Sequence, residues 1–322
     1  MRTVSKALAL VIILLLPAGC GRPVEPASAI AAAPGPDSVR PTQPAPTPTP
    51  ATHVTFAPSP TPAGWQTIAD GVQARRMIGY EDGRSDEVFT LRLDPARIDI
   101  RLRFDPKQPR RVSDWLTAEQ SLGSGGGALR PIAALNAGFF DSENQPVGRW
   151  VIEGQTFGRA HRRMQGEFRV SSAGASIRPL RERSLNDGTR TVASVEAYPL
   201  LLMRGGVINP CLLDVDILTG RFLNACANIS SRADRLIVGI DGAGYVIFLL
   251  SPSEVFSLSG LADWLKRSDL NLTIALNLDG GGSAGMLALA GDAMWGADSD
   301  REVPGALIVL PKSPRPGNGE PP

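Results

Sequence analysis

Two apolar runs, RLIVGI and YVIFLL, flank the turn DGAG in residues 235–250, and no other stretch limits the fold so strongly. Short hydrophobic runs joined across a Gly-rich turn read as an antiparallel hairpin, with Asp241 as its turn residue. Strand-like runs recur around it. EVFTLRLD (87–94) and ARIDIRLRF (96–104) alternate polar and apolar residues and read as neighbouring strands parted by Pro95. EFRVSSAGASIRPL reads as a second hairpin, turning at Gly174. PIAALNAGFF (131–140) reads as a buried strand running into a glycine turn, and LTIALNLD and GALIVLP (305–311) as further core strands. Helical spacing is confined to VSDWLTAE (112–119), with a serine at the cap position, and SLSGLADWLKRS (257–268). The predicted class is α+β: a mixed, largely antiparallel sheet core with a few packed helices in a single domain.

The ends of the chain have a different composition. Arg2 and Lys6 precede the apolar run Ala7–Leu16, and LPAGC closes at Cys20. That order is a secretory signal, too short for a comfortable membrane span. It resembles a lipoprotein signal, within residues 1–20, in which Cys20 carries lipid and becomes the new N-terminus; ordinary secretion or an uncleaved anchor is the alternative. Residues 21–63 are rich in Pro, Ala and Thr, an extended tether that contains His53. The folded domain is expected over 64–312, with a disordered tail at 313–322. Cys211 and Cys226 are the remaining cysteines. A disulfide between them suits an exported chain and closes a loop of about 16 residues, worth about 3 kcal/mol in the chain-entropy model.

A formal net charge of +1 over 322 residues gives no field that would draw the chain to nucleic acid. The chemistry concentrates instead in NLDGGGSAG, residues 277–285. GGSAG fits the nucleophile-elbow pattern around Ser283, but that scaffold places its histidine after the serine, and none follows. His161 lies far upstream among arginines in GRAHRRMQ. The same scarcity of His and Cys argues against zinc. In a second reading, the backbone N–H groups of Gly280, Gly281, Gly282 and Ser283 form an anion cradle. Asn277 and Asp279 alternate at the strand end and are expected to face one side, with Leu278 in the core.

NLDGGGS, together with NAGFF at 136–140, resembles the phosphodiester glycosidase family. PVGRWVIEGQ (146–155), YPLLLMRGG (198–206) and RLIVGID (235–241) follow the family's order along the domain. Glu196 stands where such relatives often carry a glutamine. The resemblance implies an enzyme that hydrolyses the sugar C1–O bond of a sugar phosphodiester in envelope or extracellular glycans. Such a reaction needs a carboxylate for the oxocarbenium-like centre and donors for the phosphate. Asp279 is the expected carboxylate, with Asn277 beside it and Glu196 as a candidate second acid. Asn136 is expected to bind sugar hydroxyls. Arg235 is expected to clamp phosphate, with Arg232 and Arg159 in reserve. Phe139 and Phe140 read as core and pocket wall.

No cofactor is required. A divalent cation fits Asp and Asn oxygens, but no ligand spacing demands one. The expected partners are a carbohydrate-phosphate substrate and, through the lipid anchor, a membrane. Two other readings stay open: a glycan-binding lipoprotein without activity, and a glycosidase for non-phosphorylated sugars.

Overall fold

Every named strand of the computed structural model pairs antiparallel with its neighbours. The structure describes residues 64–123, 129–182, 189–213, 226, 228–291 and 293–312. The expected signal, tether and tail, and with them Cys20, lie outside these. An eight-stranded sheet contains β1 (Gln66–Ala69), β2 (Val72–Glu81), β3 (Arg84–Leu93), β11 (Leu200–Met203), β12 (Val207–Ile208), β13 (Arg235–Asp241), β14 (Val246–Ser251) and β15 (Leu272–Gly280). Its spatial order is β1-β2-β3-β14-β13-β15-β11-β12. A five-stranded sheet contains β4 (Ile98–Phe104), β5 (Ala133–Asn136), β16 (Met286–Ala290), β17 (Ala293–Ala297) and β18 (Gly305–Pro311), ordered β17-β16-β5-β18-β4. The third sheet is ordered β7-β6-β10-β8-β9, from β6 (Trp150–Ile152), β7 (Gln155–Phe157), β8 (Gly166–Ser171), β9 (Gly174–Pro179) and β10 (Thr191–Ala197).

The layers follow from which faces are apolar. One face of the eight-stranded sheet (Leu91, Leu236, Phe248, Leu276) packs against both smaller sheets through residues such as Leu102, Leu135, Trp150, Phe168 and Leu307. Its other face (Val88, Ile237, Leu249, Ala275) is covered by helix α2, Leu258–Arg267, through Leu258, Leu261, Ala262 and Leu265. Helix α1, Val112–Gly123, covers the outer face of the β5–β18 sheet with Val112, Trp115 and Leu116. Strands of the central sheet are therefore buried on both sides. That is why β13 and β14 read as continuous apolar runs with little alternation.

The expected hairpins at 235–250 and 166–179 form, and Asp241 holds the first turn by accepting from Ala243 N and Tyr245 N, both at 2.9 Å. Two expectations are corrected. The sheets are antiparallel throughout their named strands, not mixed. The runs on either side of Pro95 are not neighbours: β3 lies in the large sheet and β4 pairs with β18 in another. Asp94 explains this, because its side chain accepts from Ala96 N and its carbonyl from Arg97 N and Ile98 N. The link becomes a corner that changes layer. Two α-helices occur among the described residues, so the domain is β-rich, and no described helix is long and apolar enough to cross a membrane.

Candidate active site

Asp279 sits at the carboxyl end of β15 with only 5% of its surface exposed. Burying a carboxylate is costly unless its lone pairs are met, and here three donors meet them. Gly280 N donates to Oδ1 at 2.8 Å, Ser283 Oγ to Oδ2 at 2.8 Å and Asn136 Nδ2 to Oδ2 at 2.7 Å. An ionised carboxylate accepts about four hydrogen bonds, so Oδ1 keeps an acceptor position. Burial pushes the Asp279 pKa above the ordinary carboxylate range; the three donors and the Arg301 charge pull against it.

A register irregularity aims this side chain. On β13, Leu236 pairs with Asp279 while the next residue, Ile237, pairs with Asn277. One extra residue is thus taken up on β15 at Leu278, a β-bulge. Residues directly paired across a ladder share a face, so Asn277 shares that of Ile237 and Asp279 that of Leu236. The expectation that Asn277 and Asp279 face one side is overturned. Leu278 is fully buried as expected. Asn277 turns to the neighbouring strand, where its Nδ2 donates to Tyr198 O at 2.8 Å and its backbone N to Pro199 O at 3.0 Å. It fixes the Tyr198–Pro199 segment beside β15, and its buried Oδ1 has no hydrogen-bond partner in the structure.

Asn136, at the end of β5, is fully buried, and its amide is committed to Asp279. It therefore orients the carboxylate; its Nδ2 is not held ready for a sugar. Ser283 is likewise a donor to Asp279, 7% exposed. His161 is exposed and its Nδ1 accepts from Arg163 N.

The three glycines have separate reasons. Gly280 is extended, but a Cβ there would stand 2.8 Å from Asp234 O and 3.1 Å from Arg235 Nη1. Gly281 has open space around it but a φ of +70°, which suits glycine. Gly282 borders Asp300 and Arg301, at 3.4 and 3.7 Å from the Cβ position. Of the four N–H groups expected to form a cradle, those of Gly280 and Gly281 are turned inward. Gly280 N donates to Asp279, Gly281 N to Asp234 O and Ala284 N to Gly281 O.

Two of the three expected cations are also engaged. Arg235 is 7% exposed, its Nε donating to Phe256 O at 3.4 Å and its Nη2 to Ser231 O, and burial lowers its pKa. It braces the glycine turn from beneath. Arg232 bonds Val255 O and pairs with Asp82 at 2.9 Å and Glu81 at 3.5 Å. Arg159 is exposed on a bridge to Val147. Glu196 is buried and taken by Arg149, whose Nε reaches Oε1 at 2.8 Å and whose backbone N reaches Oε2 at 3.0 Å. Phe139 and Phe140 are partly buried and pack on two of the cores. Cys211 and Cys226 form a disulfide.

Sequence reasoning missed Arg149, Asp234 and Arg301. Asp234 sits before β13, where burial and the Asp300 and Glu254 charges raise its pKa. Arg149 lay within the quoted PVGRWVIEGQ segment, while Asp234 and Arg301 carried no motif signal. Among the described residues no cluster of three or more His, Cys, Asp or Glu is assembled to hold a metal. A cavity of about 460 Å³ lined by Trp65, Arg92, Asp241, Asp269 and Asn271 lies at the opposite end of β13, about 20 Å from Arg235 at ~3.3 Å per strand residue. It belongs to the hairpin turn, away from Asp279.

The family model described as phosphodiester glycosidase matches residues 130–310, which include Asn136, Glu196, Asp279 and Arg301. Among solved structures, the catalytic domain of zebrafish N-acetylglucosamine-1-phosphodiester α-N-acetylglucosaminidase, auto-inhibited by its pro-peptide, is similar. It has 20% identity and a TM-score of 0.56, over 78% of this chain and 87% of that one. A hypothetical protein from Synechocystis is similar with 19% identity and a TM-score of 0.51, over 80% of this chain and 65% of that one. At such identities the likeness shows a shared fold. No curated protein sequence matches the chain.

Proposed function

The chain belongs to the phosphodiester glycosidase family, and on that premise we propose that it is a hydrolase releasing a sugar from a sugar phosphodiester. The carrying observation is Asp279: a buried carboxylate held by Asn136, Ser283 and Gly280 at the turn of the family's most specific motif. Water adds its oxygen to the sugar C1 as the C1–O bond to phosphate breaks, and a phosphate monoester departs. Positive charge develops at C1, and a preoriented carboxylate in a water-poor site stabilises it strongly. The free acceptor position on Oδ1 is the one offered to the reacting centre. A phosphate monoester leaves readily, so a tuned general acid is less needed than in ordinary glycosides. That agrees with Glu196 being held by Arg149.

The substrate class follows the zebrafish neighbour, whose name gives an N-acetylglucosamine 1-phosphodiester. The test is a panel of sugar phosphodiesters, N-acetylglucosamine 1-(methyl phosphate) among them, incubated with the purified chain while free sugar is measured. Release from at least one phosphodiester is expected. Release only from non-phosphorylated glycosides, or binding without release across the panel, sinks the reading.

We further propose that the enzyme works outside the cytoplasm, tethered by lipid at Cys20. The signal-like N-terminus and the Cys211–Cys226 disulfide support this placement.

A further inference from the structure

A phosphodiester carries one negative charge, and a site selective for it over a neutral glycoside needs a cation or donors where that charge lies. Around the glycine turn most candidates are spent. Gly280 and Gly281 donate inward, Arg235 lies beneath the turn against two carbonyls, and Arg232 is paired with Glu81 and Asp82.

Arg301 is different. It is exposed, and among the described residues it makes no ion pair. Its backbone N donates to Gly282 O at 3.0 Å, and its Nε lies 3.7 Å from where a Cβ on Gly282 would stand. Its charge acts on Asp279. The loop that carries it is anchored to α1 at several points. Asp298 accepts from Ser113 N and Oγ, Ser299 Oγ from Val112 N, Asp300 O from Arg111, and Val303 O from the Trp115 indole. A cation on an anchored loop is positioned before substrate arrives, which limits the ordering cost of binding.

We propose that Arg301 is the phosphate-binding residue of the site, placed over the Gly281–Gly282 turn to engage the phosphate on the leaving side of the bond. The inference rests on the phosphodiester reading. A Cβ at Gly282 would be in ordinary van der Waals contact with the Arg301 side chain, at 3.7 Å from Nε, so the guanidinium group lies alongside the turn. Asp300 is the neighbouring anion, with its Cβ packed on the same glycine, and it weakens the attraction.

The test has a binding arm and a kinetic arm, both on the full chain. Inorganic phosphate is titrated calorimetrically into wild type, Arg301→Gln, Arg301→Lys and Asp300→Asn. The wild type should bind it and Arg301→Gln should bind at least tenfold more weakly. Arg301→Lys should fall between, since it keeps charge but loses the planar fork, and Asp300→Asn should bind more tightly. In the kinetic arm, Arg301→Gln should lower kcat/KM at least tenfold for a methyl phosphodiester of a sugar. The 4-nitrophenyl glycoside of the same sugar should lose at least severalfold less, the remaining loss coming from the Arg301 charge on Asp279. Wild type that ignores phosphate, phosphate affinity unchanged in Arg301→Gln, or equal losses on both substrates would overturn the assignment. If wild type cleaves no phosphodiester yet binds phosphate through Arg301, the hydrolase reading fails and this one stands.

Discussion

Ser283 Oγ donates to Asp279 Oδ2 at 2.8 Å, so the serine serves the aspartate. A serine acting as nucleophile needs a base to take its proton, and the described structure gives this hydroxyl a buried carboxylate and the Gly280 carbonyl, with no histidine beside it. The G-x-S-x-G pattern arises because the turn needs glycines and Asp279 needs a short donor four residues on.

Asp279→Asn should lower sugar release about 10²–10⁴-fold, the range for losing a reacting acid or base, with the fold retained. Ser283→Ala should lose about tenfold or less, one hydrogen bond at about 1 kcal/mol. Steady-state kinetics on one phosphodiester, with circular dichroism as the folding control, separates the two. A dead Ser283→Ala beside an active Asp279→Asn reverses the assignment.

The stability of wild type relative to Asp279→Asn should fall as pH rises. Unfolded, the carboxyl titrates at its ordinary 3.8, and folded it titrates higher. Below both values each state holds the proton. Between them the folded state keeps a proton that the unfolded state has released, so raising pH favours unfolding. The asparagine variant lacks this step, and other groups cancel in the difference. Denaturant unfolding from pH 3 upward reads it; a difference that is flat or grows with pH contradicts the buried-acid account. Activity should rise through the same window as the carboxylate forms.

Gly281→Ala should cost about 1–2 kcal/mol through its left-handed backbone, and Gly281→Asn less, because asparagine tolerates that region. Gly280→Ala fails differently. Its backbone suits any residue, but the added methyl meets Asp234 O and Arg235 Nη1, displacing the N–H that holds Asp279. It should therefore reduce kcat more than Gly281→Asn does. Thermal unfolding and kinetics on the same preparations check both; equal kcat in the two variants removes the distinction.

Cys20→Ser should release the protein from membranes into the soluble extracellular fraction while leaving the activity of the folded domain within about twofold of wild type. Fractionation and intact-mass measurement of the mature N-terminus read this. A variant that stays membrane-bound and is processed as wild type removes the lipid-anchor proposal.

Local chemistry alone marked the hairpin at Asp241 and the helix at 258–267, while Asp279 was singled out by its place before the glycines together with the family resemblance. Each depends on neighbours within a few residues: a turn between two apolar runs, a Ser257 cap, an acid before glycines. Which sheet a strand joins depends on contacts far along the chain, so β3 and β4 looked like partners and are not. The facing of Asn277 and Asp279 was illegible for the same reason. A bulge at Leu278 exists only in the pairing of β15 with β13, and one residue of slip reverses a side chain. Arg301 stood in a charged turn with no motif. Only the pairing of β5 with both β16 and β18 brings that turn, held by α1, over the glycines. The sequence by itself determined most of the elements, because these rest on backbone preference and short-range spacing, and its NLDGGGS motif pointed to Asp279 as the candidate carboxylate. Tertiary structure decided which distant groups meet it: Gly280 and Ser283 donate from within the motif, but Asn136 comes from 143 residues away and Arg301 from a separate loop, and only the fold brings them to the same turn.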